Sequence, residues 1–348
     1  MTRLGRLLAG LALVLLTAGC SGAAGPSPLP HPPSTHDRPP AAETSGAAPS
    51  APASPGASPR GSASAASPGA KPSARSTAVT SLEAGFPDAR TTGPRTRLEP
   101  HATGNMSVRT DGMVIKGWDI TGSLDVYADD VTIIDSRITS ANWWGVNLRP
   151  GHHGLRILHT TITAVPGKGP DNGGVDYAVS NMGAGSIEVG WCDISVFGNA
   201  LSMGQGDIHD NYVHGLVPFR NAGGEWQHTD AVISGGGNTG KLVIRHNTLL
   251  NPVGVDRGAS ASIGLFADTG HVSNTVIDGN LLAGGAYALY GGGDGAGGIT
   301  VTDNVFSTRY HPNSGVYGSV TAWNPGPGNV WRGNRYADGT PVTPEPAG

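Results

Sequence analysis

From residue 115 to residue 336 the apolar positions recur in one short phrase: an aliphatic or aromatic residue, two mostly polar residues, a small or amide residue, any residue, then a second apolar one. The nine copies begin and end at Ile115 and Ile120, Ile133 and Ile138, Ile157 and Ile162, Val189 and Ile194, Ile208 and Val213, Ile244 and Leu249, Ile277 and Leu282, Val301 and Phe306, and Trp331 and Tyr336. The fourth position holds Trp118, Ser136, Thr160, Cys192 and then five asparagines, Asn211, Asn247, Asn280, Asn304 and Asn334. Successive copies are 18, 24, 32, 19, 36, 33, 24 and 30 residues apart, so the unit is constant while its connections vary, as in a solenoid that accepts insertions. Each unit is too short to bury its apolar face alone. Stacking supplies the shared interior, and no helix is needed.

The pattern predicts an all-β chain, a right-handed parallel β-helix (a single-stranded solenoid) of about nine coils within residues 81–348. At the parallel-strand spacing of about 4.8 Å the rod would be roughly 40 Å long. Asparagines repeated at one register can bond the asparagine or backbone above and below, pairing groups that a bend would otherwise leave unpaired. This resembles the asparagine ladder of the pectate lyase superfamily, over about residues 105–336. The resemblance implies fold first. Lyase, hydrolase and epimerase activities on polysaccharides all occur among proteins of this fold, and fold alone does not choose between them.

A second family of short strands precedes the phrase, beginning at Trp144, Tyr177, Asn199, Asp230, Ile263 and Tyr287, and it should stack into one parallel sheet. Three long loops, 163–175, 214–228 and 250–262, should leave the same edge of the rod, while the short coil bearing Asn199 lies between the first two. Loops flanking a bare coil beside a rigid sheet make a groove, where binding residues usually sit.

The densest chemistry lies where the longest insertion ends. Arg220, Glu225, Trp226, His228 and Asp230 fall within eleven residues and can supply a cation, a ring to stack on a sugar, a base and an acid. Asp176 precedes its strand as a comparable carboxylate, two inter-strand steps or roughly 10 Å from Asp230. The catalytic candidates are therefore His228, Asp230 and Asp176, and the substrate-binding candidates Arg220, Trp226, Asn199, Lys241 and Tyr177. An Asp before a strand also commonly just bonds turn amides. Trp143, Trp144, Tyr177, Phe266, Tyr287, Tyr290 and Trp323 fall near the sheet and form a candidate sugar-stacking row.

Composition narrows the partners. Residues 81–348 carry 16 Lys+Arg against 24 Asp+Glu, a net of −8, which speaks against nucleic acid. The 235–242 stretch matches the text of a glycine-rich nucleotide loop, but Leu242 stands where a phosphate loop needs Ser or Thr, and a strand rather than a helix should follow. His209, Asp210 and His214 with His228 suggest a metal, yet alternation along a strand sends His209 and Asp210 to opposite faces. A calcium ion on Asp176, Asp207 and Asp230 is the more plausible cofactor, and no other is implied.

The first twenty residues read as an export signal: Arg3 and Arg6, an apolar run over 7–16, then Thr17-Ala-Gly-Cys20. The ending resembles a bacterial lipoprotein box, which implies lipidation of Cys20 and contact with a membrane through that lipid alone. Residues 21–80 hold 13 of the 27 prolines and almost no large apolar side chains, so they form a disordered tether of about 40 Å or more. Cys192, the other cysteine, occupies a ladder position and reads as a small buried residue.

The expected function is a surface-tethered, monomeric carbohydrate-active enzyme working on a polysaccharide laid along the groove. A polysaccharide lyase or uronan C5 epimerase would use Arg220 or calcium to neutralise the substrate carboxylate and His228, oriented by Asp230, to take the adjacent proton. The alternatives are an inverting glycoside hydrolase using the paired Asp176 and Asp230, and a non-catalytic glycan-binding or structural module.

Overall fold

The computed structural model describes residues 82–344. The signal segment 1–20 with Cys20, and the tether 21–80, lie outside the described residues. What is described is all-β, built from long parallel sheets with no closed barrel, and it is compatible with a parallel β-helix.

Every copy of the phrase falls on one register. Ile115, Ile133, Ile157, Val189, Ile208, Ile244, Ile277, Val301 and Trp331 are consecutive partners across a nine-stranded parallel sheet. The sixth positions, from Ile120 to Tyr336, pair in the same order in a second ladder. A third ladder joins Leu124, Val146, Val179, Leu201, Val232, Ile263, Leu289 and Val320. Strands Glu99–Val108 and Trp118–Val126 run through both of the last two ladders, which together make one seventeen-stranded sheet. The three columns are almost wholly buried and form the core.

The phrase also encodes a bend. Its third residue has a positive φ, between 46° and 73°, in all nine copies: Gly117, Asp135, His159, Trp191, Asp210, His246, Gly279, Asp303 and Gly333. This left-handed geometry is free for glycine, is tolerated by Asp and His more than by most residues, and turns the chain from the first ladder into the second. At the next residue the side chain points into the bend. Asn211, Asn247, Asn280 and Asn304 each pass an amide N–H to the Oδ1 of the next asparagine at 2.9 Å, the last, Asn334, donates to the Val301 carbonyl, and each of the five Oδ1 atoms also accepts the preceding ladder residue's backbone N–H at 2.8–3.1 Å. Smaller groups continue the column. Cys192 donates its backbone N–H to Asn211, while Thr160 and Ser136 turn their hydroxyls to the carbonyls of Leu158 and Ile134.

The third ladder turns on small residues. Gly145, Ala178, Ala200, Ala231, Ser262 and Ala288 precede its core column and are buried, and a Cβ on Gly145 would lie 2.7 Å from Ile162. Strand Ala259–Leu265 starts earlier than its sequence suggests, so Ala261, not Ile263, partners Asp230 and Tyr287. The third loop therefore shrinks to residues 252–258 and includes the 3-10 turn Val255–Arg257.

Residues 82–97 are not part of the repeat. They run back along its flank. Leu82 and Phe86 pack on Leu281, Val305 and Ala337; Glu83 meets Ser307 and Arg309; Phe86 stacks on His246; the Pro87 carbonyl accepts from Thr248; and Arg95 holds Asp135 at 2.8 Å. This strap ties together units far apart in sequence.

Candidate functional site

Tyr177, Asn199 and Asp230 are direct register partners on three adjacent strands of the third ladder, and Asp176 precedes Tyr177 by one residue. The two long loops lead into this row from the same edge, as their lengths predict. They also clasp one another over it. The Ala222 N–H donates to Asp171 Oδ1 at 2.6 Å, and Asn172 donates to the Arg220 carbonyl at 3.2 Å. Phe219 lies on two glycines that admit it: a Cβ at Gly174 would sit 2.1 Å from its ring, and one at Gly198 would sit 2.7 Å away. Between the loops remains a cavity of about 200 Å³ lined by Val165, Pro166, Gly173, Val175, Val217 and Phe219.

Beneath the clasp the polar groups are buried without protein partners. Asp176 is 5% exposed, Asn199 2% and Asp230 0%. Asp176 Oδ1, Asn199 Oδ1 and both carboxylate oxygens of Asp230 make no hydrogen bond. Burial, with the charge of Asp171 adding to it, pushes Asp176 up to about 7. Burial raises Asp230 well above the carboxylate range. The Ala261 N–H opposes this from nearby, though outside hydrogen-bonding geometry, and Asp268 adds to the rise. Tyr177 is raised by burial and then by Asp176, Asp230 and Asp171, which sets all four groups in one electrostatic neighbourhood. Phe266 closes the Asp230 side: a Cβ on Gly264 would lie 2.3 Å from its ring and 3.1 Å from Asp230 Oδ1.

Three other sequence candidates, His228, Arg220 and Lys241, are not register partners in this row. His228 is exposed, and because neither Asp230 oxygen has a partner, Asp230 does not orient its imidazole. Arg220 is exposed at a small hairpin tip, where it bridges to Trp226, donates to the Gly224 carbonyl and lies 4.6 Å over the Trp226 ring. The pair staples its own loop. Lys241 is exposed at the start of strand Leu242–Arg245, in the nine-stranded sheet rather than in the sheet carrying the acids. The glycine-rich stretch before it leads into that strand, not a helix.

The metal readings do not assemble. Asp207 lies in the nine-stranded sheet and pairs with Arg245 at 3.1 Å, so it does not converge with Asp176 and Asp230. His209 and Asp210 touch, Nδ1 to Oδ2 at 2.9 Å, because the left-handed bend at Asp210 breaks the alternation that was expected to separate them. His209 also reaches Glu188, Asp210 reaches His246, and His214 pairs with Asp193. Among the described residues no three His, Cys, Asp or Glu side chains are grouped to hold a metal ion.

Three further features of the same sheet face carry no periodic signal in the sequence. Asp171 comes from an irregular loop. Asp125, Asn147 and Arg149 gather at the other end of the face: Arg149 is 3.4 Å from Asp125 and lies over the Tyr127 and Trp144 rings, while its Nε and Asn147 Oδ1 are buried without partners. Beyond Asp230 runs an aromatic band in which Phe266 meets Tyr290 at 5.1 Å, Tyr290 meets Tyr287 at 5.6 Å, and Tyr287 meets Tyr317 at 5.9 Å. Phe266, Tyr287 and Tyr290 belong to the aromatic set marked in the sequence.

No protein-family model, curated protein or solved structure matches the chain. The face itself offers two protonatable carboxyls flanking an amide, with rings on one side and a mixed polar patch on the other.

Proposed function

We propose that the protein is a carbohydrate-active enzyme that cleaves a polysaccharide bound across the third ladder, with Asp230 as its acid and Asp176 as its base. One observation carries this reading: two buried carboxyls with unpartnered oxygens flank Asn199, and both are biased toward the protonated form. A carboxyl that keeps its proton near neutrality suits a general acid for a leaving glycosidic oxygen. The strands bearing the pair are two steps apart, about 10 Å. That lies at or beyond the far end of the about 6.5–9.5 Å carboxyl spacing of an inverting hydrolase and well outside the about 5–5.5 Å of a retaining one, so of the two it favours inversion.

In this mechanism the substrate enters as the 214–228 loop lifts, and its sugars stack on the aromatic band. Asn199 holds a hydroxyl between the two acids. Asp230, the more deeply buried and the more strongly biased to its protonated form, gives its proton to the leaving oxygen, and Asp176, ionised above about pH 7, takes one from the attacking water. Lyase or epimerase chemistry is less favoured, because among the described residues neither Asp176 nor Asp230 is ion-paired with a cation that could also neutralise a substrate carboxylate. The finer fold, a right-handed β-helix of about nine coils of the pectate lyase superfamily type, rests on the nine-fold register and the asparagine column. Display at the outer face of a cell membrane, through lipid on Cys20, rests on the N-terminal sequence. The test is incubation of the protein with a glycan panel, reading reducing ends and, separately, ultraviolet absorbance of unsaturated ends. New reducing ends without absorbance support hydrolysis; absorbance would transfer the reading to a lyase.

A further inference from the structure

The face that carries Asp176 and Asp230 has an unusual balance of hydrogen-bonding roles. Asn147 Oδ1, Asp176 Oδ1, Asn199 Oδ1 and both oxygens of Asp230 are buried acceptors without donors. Against these five acceptors stand two unpartnered buried donors, Arg149 Nε and Trp144 Nε1. The charges are similarly one-sided. Among the described residues, of Asp125, Asp171, Asp176 and Asp230 only Asp125 is paired with a cation, the Arg149 guanidinium at 3.4 Å. Arg220, the other cation nearby, is spent on its own loop.

Such a surface selects by chemistry. Sugar hydroxyls donate and accept, so they can satisfy a row of acceptors; carboxylates and sulfates only accept, and they would bring negative charge against buried acids. Desolvating an anion there without a paired cation is strongly unfavourable. The aromatic band from Phe266 to Tyr317 adds an uncharged platform on the other side. We infer that the ligand of this face is a neutral polyhydroxylated glycan rather than a uronan, and that Asn147, Arg149 and Asp125 form its distal sugar-binding subsite. This rests on the reading of the face as a glycan site, though not on cleavage. The subsite lies three inter-strand steps, about 14 Å, across the sheet from Asp230 and three residues further along the strands, so it holds a sugar remote from the reacting bond.

The experiment is a binding titration of the intact chain against neutral gluco-, manno-, galacto- and arabino-oligosaccharides and against oligogalacturonate and alginate oligomers, each at about 0.05 and 0.5 M salt. At least one neutral class should bind at least about tenfold tighter than either uronan, with affinity nearly independent of salt. Arg149→Ala should weaken that binding at least about tenfold. Asn147→Asp, which keeps the shape and adds charge, should weaken it similarly while the circular-dichroism spectrum is unchanged. Tighter uronan binding that falls with salt, binding untouched by both variants, or no binding to any of these glycans would overturn the inference. A neutral glycan that binds and is never cleaved leaves it standing and removes the hydrolase reading; a uronan that is hydrolysed does the reverse.

Discussion

Replacing Asn247 with alanine tests whether the asparagine column holds the rod together. Asn247 is fully buried at the middle of the column. Its Oδ1 accepts the Asn211 backbone N–H at 3.0 Å and an Asn211 amide proton at 2.9 Å, and its own amide donates to the carbonyls of Ile208 and Arg245 and to Asn280. Alanine leaves two buried donors of Asn211 without their acceptor. At about 1–3 kcal/mol for each stranded group the loss is about 2–6 kcal/mol, before any cavity term. That is a large part of the roughly 5–15 kcal/mol that holds a typical domain. Asn247→Ser should cost about half as much, because Ser136 shows a hydroxyl doing part of the same work: it donates to Ile134 O at 2.9 Å and accepts the Trp118 N–H at 3.2 Å. Urea denaturation of the three proteins gives the order, and hydrogen exchange at the Asn211 amide locates the damage, which matters because repeat arrays can unfold in parts. An alanine variant within about 1 kcal/mol of wild type, with Asn211 still protected, would refute the reasoning.

Four other outcomes follow from the same structure. Native Asp176 keeps its proton up to about pH 7, whereas the unfolded chain loses it near 3.8, so the native state binds more protons in that window and stability falls as pH rises through it. Asp176→Asn should therefore melt higher than wild type at pH 8 and converge with it near pH 4; a lower midpoint at pH 8 would count against the buried acid. His228→Ala should leave turnover within about threefold, since Asp230 does not hold that ring, and a hundredfold loss would restore His228 as the base. Gly198→Ala places a methyl 2.7 Å from the Phe219 ring and should unclasp the loops, measured as faster proteolysis within 214–228; unchanged proteolysis would deny that Phe219 is the clasp. Phe86→Ala removes the strap's contact with His246, Leu281 and Val305 and should cost about 1–3 kcal/mol by denaturation, an effect absent if the strap merely lies on the surface.

The register was legible because burial enforces it: a one-residue slip would turn Ile157 or Ile208 outward, so the apolar positions of the phrase report their own alignment. The left-handed bend was legible in principle from Gly117, Gly279 and Gly333 and from Asp and His at the same position, but Trp191 there obscures the rule. Missing the bend led to the expectation that His209 and Asp210 would part. The site was half legible. Asp176, Asn199, Tyr177 and Asp230 stand at strand starts, where loop lengths locate them. Asp171, Asn147 and Arg149 come from a loop interior and strand ends, where no period constrains the side chain. Arg220 and Trp226 looked convergent with the acids because they are close in sequence, yet their hairpin closes on itself. The strap of residues 82–97 makes contacts with residues more than about 220 positions away, which no local pattern announces.

The central claim is that Asp176 and Asp230 together break a glycosidic bond. It is tested most directly by following the anomeric protons of the product by NMR on the first glycan shown to be cleaved, with wild type, Asp176→Asn and Asp230→Asn side by side. The account predicts that the wild type releases product with inverted anomeric configuration, and that each variant falls at least about a hundredfold in rate while keeping substrate affinity. Product of retained configuration, or cleavage by either variant at the wild-type rate, would contradict it.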